Sequence, residues 1–239
     1  MPSSTIYKLL EACREAGCPV CRLEQQAVER YLDNQFYENV NSPAWRAHLR
    51  ASHGFCHEHA WLGVNKRLGD ALGFSIVYQD IVNNLLKSVG DESDPARPAR
   101  RRGSVLGQMP DSLRDRVERV LAVFSPRKHC PVCEHRAEIS RNLLSALVED
   151  LLTPEIQEAL QASDGLCLPH LKLALGYVRD GSVYEALLTI HRAKLERLKN
   201  ELAEFIRKND YQVIKEGFGS EGDAWLRAIG MVAGSRRER

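Results

Sequence analysis

Two tetrapeptides in this chain are identical, Cys18-Pro19-Val20-Cys21 and Cys130-Pro131-Val132-Cys133. Each is followed, 33 and 32 residues after its second cysteine, by a Gly-x-Cys-x-x-His segment, Gly54 to His59 and Gly165 to His170. Thiols and imidazoles spaced in this way are ligands for soft or borderline metal ions. Side chains at i and i+3 point the same way on the first turn of a helix, so each pair can grip one side of an ion, and two pairs complete a tetrahedron. Three thiolates and one imidazole satisfy zinc with no open coordination position. An iron–sulfur cluster is the alternative for the same donors and for cysteines beside proline.

The elements that position these ligands are also repeated. With Cys18 set on Cys130, Cys21 falls on Cys133; after a one-residue deletion Gly54, Cys56 and His59 fall on Gly165, Cys167 and His170. Ser42-Pro43 and Thr153-Pro154 are matching helix starts, a hydroxyl cap followed by proline at the first helical position. Pro19 and Pro131 suit helices that begin immediately after a cysteine cap. Gly54 and Gly165 suit a chain reversal between helices. Both ligand pairs then lie at helix N-termini, where the positive end of the macrodipole stabilises thiolate.

In each repeat the expected course is a long helix, a capped return helix and a third helix, with the ion clasping the first and third helix starts. Apolar spacings of three and four run through most of the chain, and alternating strand patterns are absent. The clearest seam runs from a capping box at Ser182 and Glu185 through Tyr184, Leu188, His191, Leu195, Leu198, Leu202 and Phe205. Phe74, Val77, Ile81 and Leu85 form a shorter one, and the two long helices are expected to pair. The fold class is therefore all-α, an internally duplicated helical bundle with two pseudo-symmetric metal-bound halves. Its expected parts are a first repeat over 1–89 and a second over 113–216, each with its own Cys3His site. A Pro-, Gly- and Arg-rich linker spans 90–112, and a short helix and tail span 217–239.

Rival chemistries fit less well. A CPVC dithiol resembles a thioredoxin-type redox pair, which requires a strand before it and a βαβ surround that the pattern lacks. Packing alone gives no reason for four x2 spacings. Cys13 has Ser125 as its counterpart, so it reads as a buried thiol with a spare ligand as its alternative. His53, His57, His129 and His135 have no partner in the other repeat, and His191 reads as a core histidine. Phosphate loops and nucleophile elbows are absent, and His57-Glu58-His59 lacks the four-residue step of a metallohydrolase helix. Catalytic residues are therefore not assigned, and the reading leans away from an enzyme.

Composition agrees. Lys plus Arg number 33 against 32 for Asp plus Glu, leaving no net field for nucleic acid or an anionic surface. The run Arg100 to Arg102 and the tail arginines Arg236, Arg237 and Arg239 are the weaker case for nucleic acid, which would show as salt-dependent binding. No membrane span or signal segment is evident, and seven cysteines, an odd number, argue for a reducing, cytoplasmic setting.

The doubled CPxC and G-[FL]-C-x-x-H pattern resembles an uncharacterised prokaryotic family classed as a domain of unknown function. The resemblance implies a prokaryotic, bacterial or archaeal, origin and carries over the matching positions Cys18, Cys21, Cys56, His59, Cys130, Cys133, Cys167 and His170; it implies no activity. The expected protein binds two zinc ions per chain, with iron–sulfur clusters as the alternative. It is expected to act as a non-enzymatic structural or protein-interaction scaffold, with a redox or sensor role as the runner-up. Its partner is expected to be a protein, and a homodimer is among the options.

Overall fold

The computed structural model describes residues 3–93, 111–210 and 216–235. Among them are eleven helices and no strand. They are α1 (Ser4–Ala12), α2 (Pro19–Glu38), α3 (Pro43–Ser52), α4 (His57–Asn65), α5 (Ala71–Ser93), α6 (Asp111–Val123), α7 (Pro131–Glu149), α8 (Pro154–Ala162), α9 (Leu168–Leu175), α10 (Gly181–Lys208) and α11 (Ala224–Ala233). No described helix is long and apolar enough to cross a membrane.

Local chemistry sets the helix starts. Pro19 and Pro131 open α2 and α7 directly after a cysteine, where the missing proline N–H costs no helical hydrogen bond. Ser42 caps α3, its Oγ accepting from the Trp45 amide at 3.5 Å. Cys56 and Cys167 cap α4 and α9 with extended backbone, ψ 167° and 159°. α10 departs from its expected start: Asp180, not Ser182, is the cap, its carboxylate accepting from the Ser182 and Val183 amides at 2.7 and 3.3 Å. A carboxylate also complements the helix dipole, so it outcompetes the neighbouring hydroxyl. The buried stripe is accordingly Val183, Leu187, Ile190, His191 and Leu198, whereas Tyr184 and Leu195 from the expected seam are exposed.

The chain forms two compact units, and their composition overturns the expected division at 1–89 and 113–216. Unit 1 joins the described residues up to Val28 with those from Arg136 onward; unit 2 is Glu29–His135. The boundaries fall inside α2 and α7. Each unit therefore contains pieces of both repeats. Most of the expected linker, 94–110, lies outside the described residues, as do the arginine run within it and the tail arginines. Residues 90–93 and 111–112, expected in that linker, belong to α5 and α6.

Unit 1 has an aliphatic core that includes Leu9, Val20, Leu144, Leu147, Leu151, Leu160, Leu166 and Leu187, all at most 1 % exposed. Within it α1 packs on α8, and α11 packs on α9 and α10. Unit 2 is aromatic. Phe36 stacks on Phe74 with centroids 4.1 Å apart and meets Trp45 edge-on at 5.7 Å, a preferred geometry for aromatic pairs. Leu49, Val77 and Ile81 complete that core, and α5 packs on α3 and α6.

Candidate metal centres

Cysteine and histidine occupy equivalent helical positions at all four helix starts. Cys18, Cys130, Cys56 and Cys167 precede the first helical residue, and Cys21, Cys133, His59 and His170 stand three residues later. The intervening turn directs both side chains of a pair to one side of the helix end.

The pairs converge, but not as expected. Site 1 brings together Cys18, Cys21, Cys167 and His170; site 2 brings together Cys56, His59, Cys130 and Cys133. In each, all four donor atoms lie within 4.8 Å of one another. The CPVC segment of one repeat thus faces the Gly-x-Cys-x-x-His segment of the other, and the expected pairing within a repeat is wrong. Helix length gives the reason. α2 has 20 residues and α3 only 10, so the outbound helix is about 30 Å long and the return about 15 Å. α7 and α8 repeat the mismatch with 19 and 9 residues. Neither return helix can carry its second ligand pair back to the start of the first.

Backbone contacts complete each meeting. In site 1 the Gly17 amide donates to Asp164 Oδ2 at 2.6 Å, fastening the approach to Cys18 against the loop before Cys167. In site 2 the Arg127 and Lys128 amides donate to the Ala51 carbonyl at 2.8 and 3.2 Å, and His48 Nε2 donates to the His129 carbonyl at 3.2 Å. Gly54 and Gly165 turn the chain with φ of 87° and 80°. A Cβ on Gly165 would lie 2.6 Å from Lys194 Cδ.

The loop just before each cap meets a different side chain. Leu166 N–H donates to His191 Nε2 at 2.9 Å, while His191 Nδ1–H donates to the Leu187 carbonyl at 2.7 Å. This fixes the His191 tautomer, and burial holds the ring below its ordinary pKa, so it stays neutral. In site 2 the Tyr78 ring stands beside this loop, 3.4 Å from where a Cβ on Gly54 would lie, and burial raises its hydroxyl pKa.

The donor spacing fits one tetrahedral ion. In site 1 His170 Nδ1 lies 3.4, 3.3 and 3.2 Å from the sulfurs of Cys18, Cys21 and Cys167, and the Cys21 and Cys167 sulfurs are 3.7 Å apart. In site 2 His59 Nδ1 lies 3.2, 3.4 and 3.7 Å from Cys56, Cys133 and Cys130, and the Cys56 and Cys133 sulfurs are 3.6 Å apart. Zn–S and Zn–N bonds of about 2.3 and 2.0 Å give tetrahedral edges of about 3.8 Å between sulfurs and about 3.5 Å from sulfur to nitrogen. All seven cysteines are free thiols, none joined in a disulfide.

As acids, the donors are unequal. Hydrogen bonds with Cys167 and Cys18 hold Cys21 far below the ordinary thiol range, while bonds with Cys167 and Cys21, together with burial, drive Cys18 far above it. At Cys167 the bond with Cys18 acts downward, but the bond with Cys21 and burial outweigh it and push the thiol to about 11. Burial works against a charged His170, yet its bonds with Cys18, Cys21 and Glu24 prevail and raise the ring to about 12. In site 2 burial raises Cys130 and, with the Cys130 charge, pushes Cys133 to about 12. Clustered thiols with such shifts share protons that a cation would displace.

One important residue escaped the sequence reading. Glu24 Oε1 accepts from His170 Nε2 at 2.9 Å, and from the buried Ser140 hydroxyl. Carboxylate-to-histidine bonds of this kind orient a metal-binding ring and raise its basicity. Glu24 is 7 % exposed and one helical turn beyond Cys21; that placement was its signal, but its counterpart in the repeat is Arg136, so duplication pointed away from it. Cys13 is buried at the end of α1 and belongs to neither quartet. His57 and His129 supply no donor atom, His53 is the left-handed cap of α3, and His135 stacks on Tyr31.

No solved structure matches the chain. It is 25 % identical over 230 residues to an "uncharacterized 23.9 kDa protein in xynA 3'region" from Caldicellulosiruptor sp. (strain Rt8B.4), covering 95 % of this chain and 100 % of that one. A family model matches residues 6–239, nearly the whole chain and all of both ligand quartets, and the chain therefore belongs to the family of unknown function DUF6062.

Proposed function

We propose that this protein is a zinc-stapled helical scaffold, in which each of two ions clasps helix starts drawn from different repeats. The observation that carries the reading is the spacing of the two quartets, with sulfur–sulfur distances of 3.7 and 3.6 Å, close to the edge of a zinc tetrahedron. Four protein donors per ion leave no position for water or substrate, which is the arrangement of a structural rather than a catalytic zinc. An iron–sulfur cluster is less well supported: its ligands bind different irons and must stand further apart than donors around one ion. A protein partner is the companion proposal, supported by exposed Trp225, Ile229 and Val232 along one side of α11. Cysteines left unpaired at both centres favour a reducing, cytoplasmic setting.

Elemental analysis of protein purified under anaerobic conditions tests this directly. The expected result is a colourless protein with two zinc equivalents per chain. A brown protein with absorbance near about 400 nm, containing iron and sulfide, would replace this reading with the redox one.

A further inference from the structure

Site 1 has a neighbour that the repeat does not supply. α11 lies beyond the duplicated region and packs on α9 and α10. Ala224 at its start is fully buried, and Arg227 bridges to Glu201 of α10 and to Asp223. So anchored, the helix ends at the metal ligands. Its cap, Gly234, has φ 89° and ψ 167°, a conformation open essentially to glycine alone. A Cβ there would be 3.8 Å from both the Cys21 and the Cys167 sulfur. The Gly234–Ser235 turn therefore lies against both sulfurs, and the Ser235 backbone joins Cys167 and Cys18 in holding Cys21 below the ordinary thiol range.

Beside this turn opens a cleft of about 310 Å³, walled by Gly17, Asp164, Lys194, Leu198 and Met231 and reaching Cys18 and Cys167. Ser235 forms part of its lining. A competing chelator would approach the ion from this side. An amide bonded to a thiolate lowers its tendency to accept a proton or leave the metal, as outer donors at metal sites do.

We propose that the Gly234–Ser235 turn is a backbone latch on site 1, holding the Cys21 sulfur through the Ser235 amide and slowing loss of the ion. The proposal rests on the zinc reading above. Its test uses full-length protein loaded with two zinc ions and the chromogenic chelator 4-(2-pyridylazo)resorcinol. The release phase absent from Cys167→Ser belongs to site 1. Ser235→Pro removes the amide hydrogen and should accelerate that phase roughly 10- to 100-fold, leaving the site 2 phase unchanged. Ser235→Ala keeps the amide and should release zinc at the parent rate.

If Ser235→Pro is purified with only one zinc, Gly234→Ala is measured instead, since a Cβ at that φ displaces the turn; the same acceleration is expected. Unchanged release in a variant holding two zinc ions would overturn the latch and leave the zinc reading intact. Equal acceleration by Ser235→Ala would overturn the backbone assignment. A parent chain that binds no zinc overturns the zinc reading and the latch with it.

Discussion

Sites 1 and 2 have the same four donors at the same helical positions, yet their surroundings differ. In site 1 the imidazole is held by Glu24, which Ser140 also bonds, and the loop before the cap is pinned by His191. In site 2 Tyr78 stands beside the equivalent loop, against a core of Phe36, Trp45, Phe55 and Phe74. The two repeats share the candidate ligands and differ in the side chains that support them.

The largest effects should come from breaking the ligand sets in pairs. Cys18→Ser with Cys167→Ser removes two donors of one site and should leave one zinc per chain; Cys18→Ser with Cys56→Ser should leave none, as read by elemental analysis. Pairing within a repeat predicts the reverse. Because structural zinc contributes on the order of 10 kcal/mol or more in small domains, the first double variant should also speed hydrogen exchange in 3–28 and 136–208 while 29–93 and 111–135 stay protected.

Core truncation sharpens the contrast between units. Leu144→Ala in the aliphatic core and Phe36→Ala in the aromatic one should each cost about 3–5 kcal/mol in chemical denaturation, and each should expose its own unit first. Glu24→Gln should weaken zinc at site 1 by roughly 10- to 100-fold in competition titrations with little effect at site 2. Arg136, the sequence counterpart of Glu24, should not reproduce this when changed to Gln.

Proton competition gives a smaller and graded effect. Cys167 and Cys133, pushed to about 11 and about 12, hold their protons at neutral pH and must release them to bind a cation. Zinc affinity should therefore rise with pH, by about tenfold per unit for each thiol that is deprotonated, and fall toward pH 6. A flat profile between pH 6 and 8 would show that metal binding displaces no thiol protons. Smallest of all, Tyr78→Phe, which removes a half-buried hydroxyl beside the Phe55 backbone, should cost about 0.5–1.5 kcal/mol, seen as earlier unfolding of unit 2 alone.

The ligands, their helical positions and the all-helical class could be read directly from the chain. Proline after cysteine, glycine before the third cysteine and the x2 spacing are local signals, and local signals survive in a one-dimensional string. Other features lay just out of reach. Asp180 displaced Ser182 as a cap because its carboxylate holds the Ser182 and Val183 amides and so starts the helix at Gly181, and the buried face of α10 is offset from the expected seam. Glu24 carried no repeat signal at all.

What the sequence by itself determined is which eight side chains can ligate and that each pair sits at a helix start, since both follow from residue type and short-range geometry. Only the tertiary structure decided which pair meets which. That choice depends on the lengths of α2 and α3, and of α7 and α8, summed over tens of residues. A return helix half as long as its predecessor cannot close a site within one repeat, so each quartet draws one ligand pair from each repeat.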